Sequence, residues 1–414
     1  MNRIVLIGNG FDLAHGLKTS YADFIDWYWE QWKNKVLSSF KNRIDDGLCS
    51  VEVCRHSTQG FWAYFNFEVN IGENKELSGY DFINFTATFL NFKVKECDFL
   101  TAIMHDVTHY NWVDIERIYY RLLCDSLKEN SEVTPSELNH QLAVLTEKLQ
   151  EYLNEIQNKA IREFEKKKGI QMKIFEPIKL QDISIKALAD IKKYFQERCG
   201  STHLLDLLED YQDLGLHKQW GLEVLRINFE TDHSIYMERD DQYNFKTLPE
   251  NILMVNFNYT AIADLYIPNN YQKLITSNHI HGSLANLPSI IFGYGDEMDK
   301  HYKELEEYHN NEYLNNVKSI KYLESKKYRE LLDFVESAPY QIYIMGHSCG
   351  NSDRTLLNTL FEHKNCVSIK PFYYVKDNGE DNYTELVQNI SRNFKNKQAL
   401  RDKVVNKEYC ETLI

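Results

Sequence analysis

Short β-prone segments that end in Gly, Asn or Ser crowd the last third of this 414-residue chain, and they constrain its fold more than any other feature. Helical patterns such as HYKELEEYHNNEYL and DRTLLNTLFEH lie between them. This alternation is typical of a parallel sheet with helices on its faces. The segments are NILMVNFNYT, NHIHGS, SIIFGYG, QIYIMGHS and SIKPFYYV.

A strand-like segment of the same apolar character, residues 4–7, stands at the opposite end of the chain. The sequence therefore predicts an α/β fold with a Rossmann-like parallel sheet, assembled from the N-terminal strand and the C-terminal third. We expect residues 1–19 plus 246–414 to form a nucleotide-binding domain. Residues 20–245 would form a helical body inserted into it.

Several patterns predict helices within this inserted body. Ser20 and Asp23 resemble a capping box at the start of a helix to about residue 40. The segment 112–127 has helical spacing, and Thr134 followed by Pro135 marks the start of the next helix. The segments IKALADIKKYF and HLLDLLEDYQDL predict two more helices.

The longest predicted helix, residues 136–168, carries an apolar seam and is expected to end at Gly169. We expect this seam either to pack on the body's own core or to meet a partner helix, within the chain or in a second subunit. The seam residues are Leu138, Leu142, Leu145 and Leu149.

Composition counts against two classes of protein, membrane-anchored proteins and general nucleic-acid binders. No apolar run approaches the roughly 20 residues that span a bilayer, so we expect no membrane anchor. The 8 cysteines form no CxxC pair, which indicates reduced thiols and a cytoplasmic protein. A net charge of −14 counts against general nucleic-acid binding, which needs a basic face.

Four polar turns follow predicted strands and should converge at the carboxyl edge of the sheet, where open α/β folds bind ligands. The first, Gly8 to Asp12, has Leu13 in place of the third glycine of the dinucleotide fingerprint. Its N–H groups could receive phosphates, or its glycines could serve a tight strand-to-helix connection. The other turns are NFNY (256–259), HIHGS (279–283) and GHS (346–348).

His279 and His281 alternate along one of these strands, so both rings could face one metal ion. No third ligand stands at a spacing that closes such a site, although Asp296 and Glu297 follow on a later turn. We therefore expect no metal, with one histidine structural and the other a proton acceptor.

The segment GHSCG, residues 346–350, matches the nucleophile-elbow pattern of serine hydrolases. Such an enzyme needs a histidine on a later loop, whereas only His363 follows Ser348, within the next predicted helix. A hydrolase that uses Ser348 is thus the weaker alternative.

Taken together, the segments GNGFDLAHGLKTSYADF, WVDIER, NFNYT, HIHGS and GHSCGNSD resemble the AbiH family of bacterial abortive-infection proteins. The resemblance spans both ends of the chain. It implies a role in defence against bacteriophage and a phage-derived trigger.

The order of these motifs also resembles sirtuin-like NAD-binding domains. Two departures stand out: Thr260 occupies the place of an expected acid, and Phe11 and Asp12 replace small and hydroxyl residues. The matching residues are Gly8, Gly10, Asn258, His281, Gly346, Ser348 and Asp353.

This second resemblance implies NAD as ligand or substrate. His281 would be the base, and Asn258 would orient water or the ribose hydroxyls. Asp12 could stand in for the missing acid. The residues implied to bind the nucleotide are Gly8, Asn9, Gly10, Phe11, Asp12, Gly346, His347, Ser348 and Asp353.

The sequence thus predicts an abortive-infection effector that binds a nucleotide, NAD, and hydrolyses its nicotinamide–ribose bond. The main alternative is a non-catalytic nucleotide sensor that acts through protein partners, with the inserted body recognising a phage product or further copies of the chain.

Overall fold

The structure, a computed structural model, describes the following residues: 1–38, 43–53, 76–89, 92–110, 114–128, 131, 133–198, 246–268, 274–286 and 290–414.

The strands in these ranges are β1 (Asn2–Ile7), β2 (Arg43–Asp45), β3 (Cys49–Val53), β4 (Phe92–Glu96), β5 (Ile178–Lys179), β6 (Lys246–Thr247), β7 (Ile252–Asn256), β8 (Ile275–His279), β9 (Tyr340–Met345) and β10 (Cys366–Phe372). The helices are α1 (Asn9–Ala14), α2 (Tyr21–Ser38), α3 (Gly79–Phe89), α4 (Asp98–Tyr110), α5 (Ile115–Asp125), α6 (Pro135–Arg162), α7 (Lys168–Phe175), α8 (Leu188–Arg198), α9 (Lys300–Glu307), α10 (Lys318–Lys321), α11 (Lys327–Ser337), α12 (Arg354–Glu362), α13 (Tyr383–Arg392) and α14 (Lys397–Lys403).

A parallel sheet of five strands, in the order β10-β9-β1-β7-β8, confirms the predicted α/β fold. The N-terminal strand β1 lies at its centre, between two strands from the C-terminal third. Every residue of β1, β7, β9 and β10 is buried, as expected of parallel strands that are covered on both faces.

Two strand predictions need correction. Strand β8 begins before the segment NHIHGS and ends at His279, so residues 280–283 form the following turn. The segment SIIFGYG forms no strand in its described part, residues 290–295; a single bridge joins Tyr294 to Val317. Its backbone bonds mainly to neighbouring turns, with Ile291 donating to the carbonyl of His281 and Tyr294 to that of Asn316, and the N–H of Gly293 donates to the Glu116 carboxylate.

Residues 20–245, which we predict to form the inserted body, contain helices in their described part and also a small antiparallel sheet, β2-β3-β4, that the sequence patterns do not predict. The capping box is confirmed, since Ser20 and Asp23 each accept the other's backbone N–H at the start of α2. Helix α5 confirms the helix within 112–127. The segment HLLDLLEDYQDL lies outside the described residues.

Helix α6 ends at Arg162, earlier than the sequence pattern predicts, and Gly169 lies inside the next helix, α7. Tertiary contacts explain the early end. The Phe164 ring stacks on His15 at 5.6 Å, and the backbone N–H of Lys167 donates to the Tyr266 hydroxyl at 2.9 Å. Both contacts are made by residues that follow Arg162, and we attribute the end of the helix to them.

The apolar seam of α6 packs within the chain. Its four leucines are between 0% and 4% exposed and belong to the core that α2, α4 and α5 share. Of the two expected partners for the seam, the body's own core is therefore the one observed.

A buried set of charges connects the inserted body to strands β1, β9 and β10 of the sheet. Lys370 of β10 lies 3.2 Å from Asp182 and 3.5 Å from Glu176, both of which belong to the body. Tyr343 of β9 donates to Glu176 at 2.6 Å and accepts from Arg3 of β1 at 3.2 Å. We call these five residues the sheet-face cluster.

Candidate functional site at the carboxyl edge of the sheet

The four polar turns lie side by side at one edge of the sheet. Ile7 pairs with Asn256 on one side and with Met345 on the other, and Asn256 pairs with His279. Each of these residues ends its strand. The turns that follow them therefore leave the sheet at neighbouring positions, as parallel strands require.

The glycines of the first turn pack directly against the GHS turn. A Cβ on Gly8 would lie 2.5 Å from the Cα of His347, and a Cβ on Gly346 would lie 2.1 Å from the backbone nitrogen of Phe11. Gly346 also has φ +77, which favours glycine. Close backbone contact thus explains these glycines without a ligand.

Three N–H groups of this turn, those of Gly8, Gly10 and Phe11, already have partners. Gly10 donates to the carbonyl of Gly346 at 2.8 Å, Phe11 to that of Gly8 at 2.8 Å, and Gly8 to that of Met345 at 3.3 Å. Phosphate binding by these groups stays a prediction, and it would require these bonds to exchange. Asn9 is exposed and accepts from the Thr19 hydroxyl.

Two carboxyl groups, one ammonium and two imidazoles form a buried group beside these turns, which we call the edge cluster. Its members are Glu116, His281, Lys318, His347 and Asp353, none more than 8% exposed. Lys318 is fully buried, and its Nζ lies 2.9 Å from Glu116 Oε2 and 2.8 Å from Asp353 Oδ1. Of the four turns, HIHGS and GHS supply the two histidines.

Asp353 is the centre of the edge cluster. Its Oδ1 lies 3.1 Å from His281 Nε2 and its Oδ2 lies 3.5 Å from His347 Nε2. Burial alone would raise the pKa of Asp353, but the Lys318 ammonium and the imidazole N–H groups hold it well below its usual range. The carboxylate is therefore ionised and only accepts hydrogen bonds.

The two histidines differ in how they are fixed. His347 Nδ1 accepts the backbone N–H of Cys349 at 2.9 Å, so its Nε2 carries the proton that points at Asp353. His281 also contacts the Tyr322 hydroxyl, 3.1 Å from Nε2, and packs its ring edge-on against Phe257. Burial and the Lys318 ammonium lower the pKa of His281 to about 4.

Glu116 brings the inserted body into the site. It lies on α5, and its Oε1 accepts the N–H of Gly293 at 3.3 Å. Burial raises the pKa of Glu116 to about 7, although the Lys318 ammonium opposes this rise. The edge cluster thus contains a carboxyl group that gains or loses a proton near neutral pH, which is common at functional sites.

Asn258 and Asp12 lie on the other side of the first turn. Asn258 is half-buried, and its Nδ2 donates to the Gly8 carbonyl at 3.1 Å. The Thr260 hydroxyl donates to Asp12 Oδ2 at 2.5 Å. Burial raises the pKa of Asp12 to about 6, with the Thr260 and Asn258 side chains opposing the rise. A carboxyl group, that of Asp12, thus lies beside Thr260.

His279 does not face the edge cluster. Its Nε2 lies 2.7 Å from Asp264 Oδ2, whereas His281 faces Asp353, so the two histidines do not converge on one point. Within the described ranges, no group of three or more His, Cys, Asp or Glu side chains has an arrangement that could hold a metal ion.

Ser348 is exposed, and the geometry around it is not that of a nucleophile elbow. The left-handed residues of this segment are Gly346, with φ +77, and Cys349, with φ 54, rather than the serine. His363 bonds Glu336 at 3.1 Å. Among the described residues, no histidine hydrogen-bonds the Ser348 hydroxyl.

Sequence reasoning missed Glu116 and Lys318 as site residues. Both lie far along the chain from the four turns, and only the tertiary fold brings them to Asp353. Glu116 had one signal, because it lies in the segment WVDIER, which resembles the AbiH family. Lys318 had none.

A family model described as "Bacteriophage abortive infection AbiH" matches residues 4–375. The matched range includes most of β1, all of residues 20–245 and every member of the edge cluster. No curated protein and no solved structure matches the chain. None of the described helices is long and apolar enough to cross a membrane.

Proposed function

Because the chain belongs to the AbiH family of bacteriophage abortive-infection proteins, we propose that it is an abortive-infection effector that binds NAD at the edge cluster. Its reaction would be hydrolysis of the bond between nicotinamide and ribose. Water attacks the anomeric carbon of the ribose, and the carbon–nitrogen bond breaks with its electron pair passing to the pyridinium ring. Neutral nicotinamide leaves, and the proton of the water passes to a base.

The observation that carries this proposal is the pairing of His281 with an ionised Asp353 at the carboxyl edge of a parallel sheet. A base must be unprotonated at the working pH. The lowered pKa of His281 meets that need at neutral pH, although it also makes the imidazole a weak base.

The residues around His281 suit the remaining tasks. The Asn258 carboxamide, fixed by its bond to the Gly8 carbonyl, would orient the attacking water or the ribose hydroxyls. Asp12 would supply a carboxyl group beside Thr260. Ser348 is exposed at the rim of this edge and would contact ribose or phosphate oxygens.

A nucleotide sensor without catalysis is the second candidate. One observation favours it: His281 is only 4% exposed. A buried base reaches substrate only after the site opens. Such a protein would signal through its inserted body, which contacts the site through Glu116.

Incubation of the purified protein with NAD, followed by quantification of free nicotinamide, tests the proposal. We expect release by the wild-type protein and a loss of at least about 100-fold in His281→Gln, because a general base contributes about that much. His279→Gln is the matched control, since His279 lies in the same segment but bonds Asp264 instead of Asp353.

Three outcomes separate the candidates. If folded His281→Gln releases nicotinamide at the wild-type rate, the assignment of the base is wrong. If wild-type protein binds NAD in calorimetry but releases no nicotinamide, the chain is a sensor. If it does neither, the nucleotide proposal should be abandoned.

A further inference from the structure

We propose that Lys318 is a positioning residue: by bonding Oδ1 of Asp353, it keeps His281 in its neutral form with Nδ1 as the proton-accepting atom. The proposal deepens the function proposed above and rests on His281 as its base. Its test, however, measures protonation of His281 directly and requires no NAD.

The first step is the tautomer of His281. Asp353 is ionised and can only accept, so the Nε2 that lies 3.1 Å from its Oδ1 must carry the proton. Neutral His281 therefore has its lone pair on Nδ1. This atom has no hydrogen-bonding partner in the described part of the chain, so it is the nitrogen left to take a proton.

The second step is the shared oxygen. Lys318 Nζ and His281 Nε2 both bond Asp353 Oδ1, at 2.8 Å and 3.1 Å. A carboxylate beside a histidine ordinarily favours the imidazolium. Here an imidazolium at His281 would be a second cation on Asp353 Oδ1, and it would repel the Lys318 ammonium in a buried, weakly screened site. Lys318 therefore cancels the usual effect of the aspartate.

The third step is the anchoring of Lys318. Its other carboxylate partner, Glu116, lies 2.9 Å away on α5, and the lysine is fully buried. Two of its three N–H donors are thus held by carboxylates from two different parts of the chain. The ammonium cannot leave Asp353 without breaking both ion pairs.

No other group in the described part of the site supplies a compensating charge to His281. Burial lowers its pKa, His347 adds to that effect, and Asp353 is the carboxylate in contact with it. The titratable groups that face His281 or the ions beside it are Asp353, Lys318, His347, Glu116, Asp114, Tyr21, Tyr259 and Tyr322.

The test is a pH titration of the full-length protein labelled with ¹³C in its histidines and followed by NMR. The His281 resonance is assigned by its disappearance in His281→Gln. In wild-type protein we expect His281 to stay neutral down to pH 5, against a midpoint of about 6.5 for an ordinary histidine.

The variant is the double substitution Lys318→Met with Glu116→Gln, which removes the ammonium together with its second carboxyl partner, so that no ionised Glu116 is left buried without a cation. We expect its His281 midpoint to rise by more than one pH unit. Lys318→Met alone serves the same purpose if the double variant does not fold. Lys321→Met, on the same helix but paired with Glu324, is the control and should leave the midpoint unchanged.

A wild-type midpoint above pH 6 overturns the proposal by itself, whichever variants fold. So does a variant that lacks Lys318 but keeps the wild-type midpoint. If the titrations come out as expected while NAD is not cleaved, the role of Lys318 stands and only the proposed reaction fails.

Discussion

Lys318 in the edge cluster and Lys370 in the sheet-face cluster are both fully buried, and each lies between two carboxylates. In both clusters the inserted body supplies at least one of those carboxylates. The sheet-face cluster balances its charges, since Arg3 and Lys370 face Glu176 and Asp182. The edge cluster does not, because one ammonium faces two carboxylates and two histidines.

The imbalance changes the protonation of the carboxyl groups. Burial alone would raise the pKa of Glu176, but Lys370, Lys179 and Arg3 hold it below its ordinary value. Glu116 has a single cation as partner, and its pKa rises to about 7. Burial also raises the pKa of Asp182, so the contrast concerns the two glutamates: the cations around Glu176 keep it ionised, whereas Glu116 exchanges a proton near neutral pH.

The largest expected effect is on stability in the balanced cluster. Lys370→Met removes the buried ammonium that both Asp182 and Glu176 contact, and we expect a loss of about 3–5 kcal/mol in the free energy of unfolding. Denaturant unfolding measures it. The control, Lys376→Met at an exposed position, should change stability by less than about 0.5 kcal/mol. Equal effects of the two variants would contradict a stabilising role of the sheet-face cluster.

The next effect, the pH dependence of the free energy of unfolding, has opposite signs in the two clusters. The raised pKa of Glu116 means that its contribution to stability is present below about pH 4.5 and is lost as the pH rises to about 7. Glu116→Gln should therefore gain stability relative to wild type over that range, by roughly 3 kcal/mol. Unfolding curves between pH 4.5 and 7.5 measure this difference.

Glu176→Gln is the matched variant in the sheet-face cluster. The lowered pKa of Glu176 means that its contribution is present above its unfolded value and is lost as the pH falls. The substitution should therefore cost most at neutral pH and progressively less under acid conditions. If the stability difference from wild type changes with pH in the same direction for both variants, the two glutamates do not differ in protonation as the account requires.

The smallest expected effect lies at the rim of the edge. Ser348 is exposed, and Ser348→Ala should change stability by less than about 0.5 kcal/mol. We expect weaker NAD binding in calorimetry with residual turnover. Loss of an esterase activity in this variant would instead favour the nucleophile-elbow interpretation. The functional site would then lie at Ser348 and not at the edge cluster.

The sequence predicted the sheet better than the site. Strands β1, β7, β9 and β10 are near-continuous apolar runs closed by polar turns, which is a local signal. The early end of α6 could not be predicted, because its cause is contact of Phe164 with a distant ring, that of His15. Local patterns carry no information on such contacts.

The same limit applies to the edge cluster. His281, His347 and Asp353 follow strands and could be identified from the turns in which they lie. Glu116 and Lys318 lie on helices whose patterns also suit solvated faces, and only tertiary packing buries them. The glycines of the first turn were associated with phosphate, whereas the structure gives them a packing role against Gly346 and His347.

The central claim is that the edge cluster carries the anti-phage function while the sheet-face cluster carries stability. Its most direct test is the plating efficiency of a phage against which the wild-type chain protects, on cells expressing His281→Gln or Tyr343→Phe at equal soluble levels. We predict that His281→Gln abolishes protection and that Tyr343→Phe, which loses its bond to Glu176, retains it. Full protection by His281→Gln, or its loss in Tyr343→Phe, would contradict the account.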